Sequence, residues 1–188
     1  MKLVFERKES VMRIFIIEGS PHRQGSSNLL ADNFIRGTEV SGHKVTVFDA
    51  AHANIHSCLG CDYCGMFGPC CQKDDMADVR EMVLTSDMLV LVTPIYYFGM
   101  SAQLKAVIGR FYSFSGELTS MGLKTILIAA AWNNNNWTMQ NIKSHYQTLC
   151  TYLNFKNQGM ILGTGCGTVP MTKETVFPQM AYELGKNI

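Results

Sequence analysis

The chain has 188 residues, and its 16 basic and 15 acidic side chains give a net charge of +1. This length suits one ordinary domain, so we expect a single domain over residues 1–188. The balanced charge excludes the positive field that attracts nucleic acids and anionic membranes. The apolar runs are also far shorter than the roughly 20 residues that span a bilayer. We therefore expect a small-molecule ligand, with no nucleic-acid and no membrane partner.

The N-terminal residues 1–10 alternate charged residues with short apolar stretches and lack the apolar core of a secretory signal. We therefore predict a cytoplasmic protein, in which metal or redox use of the seven cysteines is favoured over a disulfide framework, with Cys150 and Cys166 in structural roles. Met12 offers a second start, which would make residues 1–11 a loose extension.

Hydrophobic periodicity predicts five strands that alternate with five helices. The predicted strands are residues 14–17, 43–48, 88–92, 125–130 and 159–162. The predicted helices begin near Ser26, Asp74, Ser101, Asn141 and Thr175 or Pro178. Strands separated by helices pair in parallel through right-handed crossovers, so we expect an α/β fold with the second strand at an edge. Ligands of such sheets bind at the carboxyl ends of the strands.

A polar loop, G-S-P-H-R-Q-G-S-S-N at residues 19–28, follows the first strand and opens the first helix. The free amides and the positive dipole end of a helix N-terminus favour an anion. The Walker lysine pattern and G-x-G-x-x-G are both missing from this loop. We predict a phosphate site that uses polar side chains of the loop, namely Ser20, Arg23, Ser26, Ser27 and Asn28. The alternative is an ordinary serine-rich turn with a capped helix.

This loop resembles the G-S-P-R-x-x-G-N-T phosphate loop of the NADPH-dependent FMN reductase family. The resemblance implies a flavodoxin-like three-layer sandwich, with a five-stranded parallel sheet in the order 2-1-3-4-5. It also implies that the phosphate of FMN binds here. His22 stands where the family usually has Arg, while Ser26 and Ser27 replace Asn and Thr and keep the hydrogen-bonding capacity.

The loop after the third strand, T-P-I-Y-Y-F-G-M-S at residues 93–101, resembles the P-x-Y block of the same reductases. The resemblance implies that the flavin ring lies against residues 94–99. These are Pro94, Ile95, Tyr96, Tyr97, Phe98 and Gly99. A flavin requires a stacking surface beside exposed main chain, and this loop offers both. The alternative is that some of its aromatics are core or dimer contacts.

Two further loops follow the fourth and fifth strands. Ala131, Trp132 and Asn133 are expected at the polar edge of the flavin, with a solvated turn as the alternative. For residues 163–167 we expect a mobile connector.

The sharpest local pattern is Cys58-x2-Cys61-x2-Cys64-x5-Cys70. Four thiolates at this spacing can hold one 4Fe-4S cluster, and they suit zinc less well. The pattern resembles the compact motif of the iron-sulfur flavoproteins, but it is also widespread in relatives that look like plain FMN reductases. The alternative is a loop of reduced thiols near the flavin, and we favour this alternative.

The resemblance implies an FMN-dependent NAD(P)H oxidoreductase that passes electrons from reduced nicotinamide to a small acceptor. A flavin, a quinone, a nitro or azo compound and a metal ion all remain open. FMN carries the chemistry, so no side chain is predicted to be catalytic. Members of the family are often dimers, which implies a homodimer here. Two other functions stay open: an iron-sulfur flavoprotein that relays electrons to a protein partner, and a non-catalytic flavin carrier.

Overall fold

The computed structural model describes residues 11–188, and in this part of the chain six strands form the sheet. They are β1 (Arg13–Glu18), β2 (Lys44–Asp49), β3 (Met88–Tyr96), β4 (Gly99–Met100), β5 (Lys124–Ala130) and β6 (Lys156–Gly163). Five are parallel in the order β2-β1-β3-β5-β6, and β4 pairs antiparallel with the end of β3. Apart from this short extra strand, the order is the predicted 2-1-3-4-5, with the second strand at an edge. The predicted fold class is confirmed.

The helices include the five that periodicity predicts and three shorter ones. They are α1 (Ser26–Val40), α2 (Tyr63–Met66), α3 (Met76–Thr85), α4 (Ala102–Arg110), α5 (Ser115–Met121), α6 (Gln140–Tyr152), α7 (Val169–Lys173) and α8 (Phe177–Lys186). The sequence prediction missed α2, α5 and α7, because helices of 4, 7 and 5 residues are too short to show a period. The predicted extension, residues 1–11, lies outside the described residues except for Val11, and the single-domain expectation stays a prediction.

Both faces of the sheet are buried. Successive side chains of each strand point to opposite sides, so each strand contributes to two cores. Phe15 and Ile17 of β1 join the core under α3, α4 and α6. Ile14 and Ile16 join the second core, under α1 and α8. The result is the three-layer sandwich that the resemblance implied.

The third strand is longer than the sequence predicted. We expected Thr93-Pro94 to end it, but Thr93 and Pro94 still pair with Ala129 and Ala130 of β5. The chain then continues to Tyr96, which pairs with Gly99 across a two-residue turn. Proline lacks only the amide donor, and a strand tolerates this loss near its end.

Two glycines set the distance between α1 and α8. A Cβ atom at Gly37 would collide with the carbonyl oxygen of Tyr182, and one at Gly185 would collide with that of Phe34. Only glycine allows this close approach of the two helix backbones, and α8 thereby covers the second core.

We predict that Gly185→Ala lowers the free energy of unfolding by about 1–3 kcal/mol, because the added methyl group must push the helices apart. Gly109→Ala is the matched control, since nothing lies within 4 Å of a Cβ atom there. The control should be neutral or stabilising by up to about 1 kcal/mol, as alanine favours a helix. Equilibrium urea unfolding measures both changes. Equal effects of the two substitutions would contradict the packing argument.

Candidate functional site

Four loops meet at the carboxyl edge of the parallel sheet, and backbone hydrogen bonds join them. The Gly19 amide donates to the Val92 carbonyl at 2.9 Å, which connects the end of β1 to β3. The Cys166 amide donates to the Ala131 carbonyl at 2.8 Å, which connects the loops after β6 and β5. The predicted site residues at 19–28, 94–99 and 131–133 therefore lie at one edge of the sheet.

These loops enclose a cavity of about 520 Å³, a size within the range of small-molecule sites. Most of the predicted residues line it, namely Ser20, His22, Ser26, Ser27, Pro94, Ile95, Tyr96 and Trp132. The sequence analysis missed the remaining wall, which is Gln24, Gly25, Ala130, Cys166, Gly167, Thr168 and Val169.

At one end of the cavity, α1 begins without a side-chain cap. Gly25 is the cap residue, and the first turn of the helix carries no acidic side chain. The Gly25 amide donates to the His22 carbonyl at 2.9 Å, so the loop turns tightly just before the helix. Uncapped amides at a helix N-terminus, with the Ser26 and Ser27 hydroxyls beside them, form a surface suited to an anion.

Directly after Tyr96, the β3–β4 turn holds two aromatic residues in left-handed backbone conformations. The φ angles of Tyr97 and Phe98 are 45° and 64°. Bulky residues rarely adopt such angles, and strain of this kind concentrates at functional sites. Phe98 packs on Trp137 with ring centroids 5.0 Å apart, while Tyr97 is 100% exposed.

A smaller cavity of about 240 Å³ adjoins the first one and shares Ile95 and Trp132 with it. Other predicted residues line this second cavity, namely Tyr97, Phe98, Ala131 and Asn133. The Asn133 side-chain oxygen accepts hydrogen bonds at 2.8 Å from the Asn135 amide and the Thr138 hydroxyl. This atom therefore stabilises the loop after β5, in which it lies.

Three predicted residues lie outside the linings of both cavities. The Arg23 Nε atom is 3.8 Å from a carboxylate oxygen of Asp49. The Asn28 Nδ2 atom donates to the Glu18 Oε2 atom at 2.6 Å. Gly99 pairs with Tyr96 inside the hairpin. Their assignment to cofactor binding stays a prediction.

Glu18, the last residue of β1, has an unusual carboxyl group. Burial and, to a smaller extent, the charge of Asp32 raise its pKa to about 7, against the opposing effect of the hydrogen bond from Asn28. The group therefore changes its charge near neutral pH, next to the α1 loop.

The connector after β6 is part of the cavity wall. A Cβ atom at Gly167 would collide with the Trp132 ring, and the Gly165 amide donates to the Asn133 carbonyl at 3.3 Å. The mobility expected for this connector stays a prediction, but hydrogen bonds join the segment to the loop after β5 and make it part of the cavity wall. Its alternating glycines, Gly163, Gly165 and Gly167, were the signal of this close approach.

The cysteine loop, residues 58–71, lies between β2 and α3 and carries five free thiols. The sulfur atoms of Cys61 and Cys71 are 3.8 Å apart. Cys64 and Cys70 instead line a third cavity of about 600 Å³. Within residues 11–188, no three Cys, His, Asp or Glu side chains stand together as a metal centre.

A buried ion pair fixes the base of this loop. The Arg110 Nη1 and Nη2 atoms donate to Asp74 at 2.7 and 3.1 Å, and the Asp74 side chain is 0% exposed. Asp74 also accepts from the His56 amide at 3.0 Å. Burial acts to raise the pKa of the Asp74 carboxyl, but the hydrogen bonds from Arg110 and the His56 amide, together with the charge of Arg110, outweigh burial and lower this pKa, so the carboxyl stays ionised.

Among the helices of residues 11–188, none combines the length and the apolar character needed to cross a bilayer.

We predict that Glu18→Gln stabilises the protein above neutral pH. A raised folded-state pKa gives stability that is complete below the ordinary value of 4.5 and is lost as the pH rises through about 7. Glutamine removes this loss and still accepts the hydrogen bond from Asn28. At about pH 8 the variant should gain on the order of 1 kcal/mol, discounted for partial exposure, and at about pH 5 much less.

Urea unfolding at both pH values measures this difference. Glu39→Gln, at an exposed position of α1, should change the unfolding free energy equally at both. An equal gain at both pH values for Glu18→Gln would show that burial does not shift its titration.

Comparisons with known proteins agree with this architecture. The sequence profile of a family described as NADPH-dependent FMN reductase matches residues 12–156. An NAD(P)H:quinone oxidoreductase from Methanothermobacter marburgensis superposes with a TM-score of 0.73 at 18% identity, over 95% of this chain and 96% of that one. At this identity the likeness shows the fold alone.

Two curated relatives are also similar to the chain. An "Iron-sulfur flavoprotein" of Archaeoglobus fulgidus is 32% identical over 111 residues, which are 59% of this chain and 50% of that protein. Bacillus subtilis YwqN, named as an NAD(P)H-dependent FMN-containing oxidoreductase, is 25% identical over 82% of this chain and 86% of its own length. The chain spans about half the length of the iron-sulfur flavoproteins that it matches. Because the family profile covers more than half of its residues, the chain belongs to the NADPH-dependent FMN reductase family.

Proposed function

We propose that the chain is an FMN-dependent NAD(P)H oxidoreductase that delivers electrons to a small planar acceptor, such as a quinone, an azo compound or a free flavin. The observation that carries this proposal is the 520 Å³ cavity, which is lined both by an uncapped helix N-terminus and by the aromatic side chains of Tyr96 and Trp132. A flavin mononucleotide has the matching chemistry, because it combines a phosphate with a flat ring. When bound, FMN would supply the hydride-accepting and electron-delivering chemistry.

In this proposal the residues of the chain bind FMN and orient it. The first amides of α1 and the hydroxyls of Ser26 and Ser27 hold the phosphate. The main chain from Pro94 to Tyr96 faces the polar edge of the ring, and Trp132 provides apolar surface. The Trp132 side chain is held by its contact with Gly167, so the wall is preorganised.

Exposed aromatic residues at the rim leave the cavity accessible. Tyr97 is 100% exposed and Trp132 is 68% exposed. A planar nicotinamide or acceptor can therefore reach the ring by stacking.

The same surface supports the homodimer that the resemblance implies, and gel filtration tests that proposal. The cytoplasmic location likewise stays a prediction.

We predict that Ser26→Asp weakens FMN binding at least about tenfold, because a carboxylate near the phosphate opposes its charge. An acid in the first turn stabilises an isolated helix, so the variant should fold at least as well as the wild type. Fluorescence titration of the flavin-free protein measures the dissociation constant, and thermal unfolding without flavin checks the fold.

Ser26→Asn is the matched control, because it has nearly the same size as Asp without the charge. It should bind FMN within a few-fold of the wild type. Undiminished FMN affinity in Ser26→Asp would place the phosphate elsewhere and contradict the proposed cavity.

A second candidate is an iron-sulfur flavoprotein, which would pass single electrons onward through a cluster. Seven of the eight curated relatives at this level of similarity carry that name. The donor chemistry of the cysteine loop fits, because all five thiols are free and Cys64 and Cys70 share a cavity with the buried cation of Arg110. We propose that Cys58, Cys61, Cys64 and Cys70 would hold a 4Fe-4S cluster, whose chemistry is one-electron transfer.

The neighbours Cys70 and Cys71 give a matched test of this candidate. Protein purified without oxygen should contain about four iron and four sulfide per chain, and Cys71→Ser should keep them. Cys70→Ser should lose most of the iron while its FMN content stays the same. If Cys71→Ser loses its iron and Cys70→Ser keeps it, Cys71 rather than Cys70 is the fourth ligand. Wild-type protein with FMN and no iron would support the loop of thiols instead.

A further inference from the structure

Arg110 ends α4 directly below the cysteine loop, and its side chain is 2% exposed. Such a buried guanidinium needs acceptors for its five N–H donors. Counting the acceptors around Arg110 shows which edge of its guanidinium has no partner.

Three of the five donors have partners. Nη1 donates to the His56 carbonyl at 2.9 Å and to Asp74 at 2.7 Å, and Nη2 donates once to Asp74 at 3.1 Å. Nε is buried and has no acceptor among the described residues. Because Nε and the second hydrogen of Nη2 point the same way, one edge of the guanidinium is left without an acceptor.

This side chain lines the 600 Å³ cavity together with Cys64 and Cys70. Lys73 and Arg80 line it as well, so cations outnumber the one carboxylate, Asp74, which Arg110 already occupies. Arg80 has its own partner, since its Nη2 atom donates to both carboxylate oxygens of Glu117 at 2.7 Å. Arg110 therefore lines a site that lacks a second anion, and metal-bound thiolates would supply that negative charge.

Cys71 does not line this cavity, unlike its neighbour Cys70. It is exposed, and its sulfur contacts Cys61 rather than the cavity that Arg110 lines. Arg110 can thus act on Cys70 and not on Cys71.

We propose that the free edge of Arg110 donates N–H···S hydrogen bonds to the Cys70 sulfur when the loop holds its cluster. The inference rests on the iron-sulfur candidate above. Arg110 is then a positioning residue, which orients Cys70 and stabilises the negative charge of the thiolate-bound cluster. Hydrogen bonds to ligand sulfur strengthen metal binding and raise the reduction potential, because they favour the more negative reduced state.

Arg110→Lys tests this inference, because lysine keeps the positive charge beside Asp74 but lacks the Nε–H edge. Arg80→Lys is the matched control, a cation of the same cavity whose side chain is 47% exposed. Both variants are purified without oxygen and loaded with iron and sulfide. Arg110→Lys should bind iron about 10–100-fold more weakly in a chelator competition, and its cluster should have a more negative midpoint potential. Arg80→Lys should match the wild type in both measurements.

A second measurement uses the wild-type protein and does not depend on the folding of a variant. With ¹⁵N-labelled arginine, electron-nuclear double resonance of the reduced cluster should show a coupled nitrogen from the Nε–H···S contact. A cluster that shows no such coupling, with unchanged iron affinity and potential in Arg110→Lys, would overturn the role of Arg110 and leave the cluster proposal intact. Wild-type protein that takes up no iron would overturn both.

Discussion

Parallel pairing of β1, β3, β5 and β6 is the constraint on which the rest of the structure depends. Because these strands run in one direction, the loops that follow them are brought to one edge of the sheet. The hydrogen bond from the Gly19 amide to the Val92 carbonyl then joins the start of the first loop to β3. No single loop forms a cavity, so the chemistry of the site is set by what the four contribute together: helix amides, hydroxyls, aromatic surface and exposed main chain.

Helix α4 connects the cavity to the cysteine loop. At its start, the Ser101 amide donates to the Thr93 hydroxyl at 2.9 Å, and Gly19 lies so close that a Cβ atom there would be 2.6 Å from Leu104. At its end, Arg110 is buried against Asp74 below the cysteines. A buried ion pair is costly to break, so the cysteine loop is held at a fixed position relative to the cavity.

Local patterns in the sequence predicted the five parallel strands and the five longer helices, because burial and helix starts are encoded within a few residues. The strand order came from the family resemblance, and the phosphate loop stays a prediction. The β3–β4 hairpin was missed, since Tyr97 and Phe98 occupy left-handed turn positions where glycine or asparagine is the usual signal. The wall at Cys166 and Gly167 was missed because contacts with the loop after β5 place it there. The partner of Arg110 also lay beyond prediction, as Asp74 is 36 residues away in the chain.

The central claim is that this cavity holds a flavin that a nicotinamide reduces. An anaerobic titration of the FMN-loaded protein with NADPH, and separately with NADH, tests it most directly through the visible absorbance of the flavin. The account predicts that at least one nicotinamide bleaches the flavin completely, with about one equivalent consumed per bound FMN when no cluster is present. A flavin that stays oxidised with excess of both nicotinamides would contradict the account and support the non-catalytic carrier.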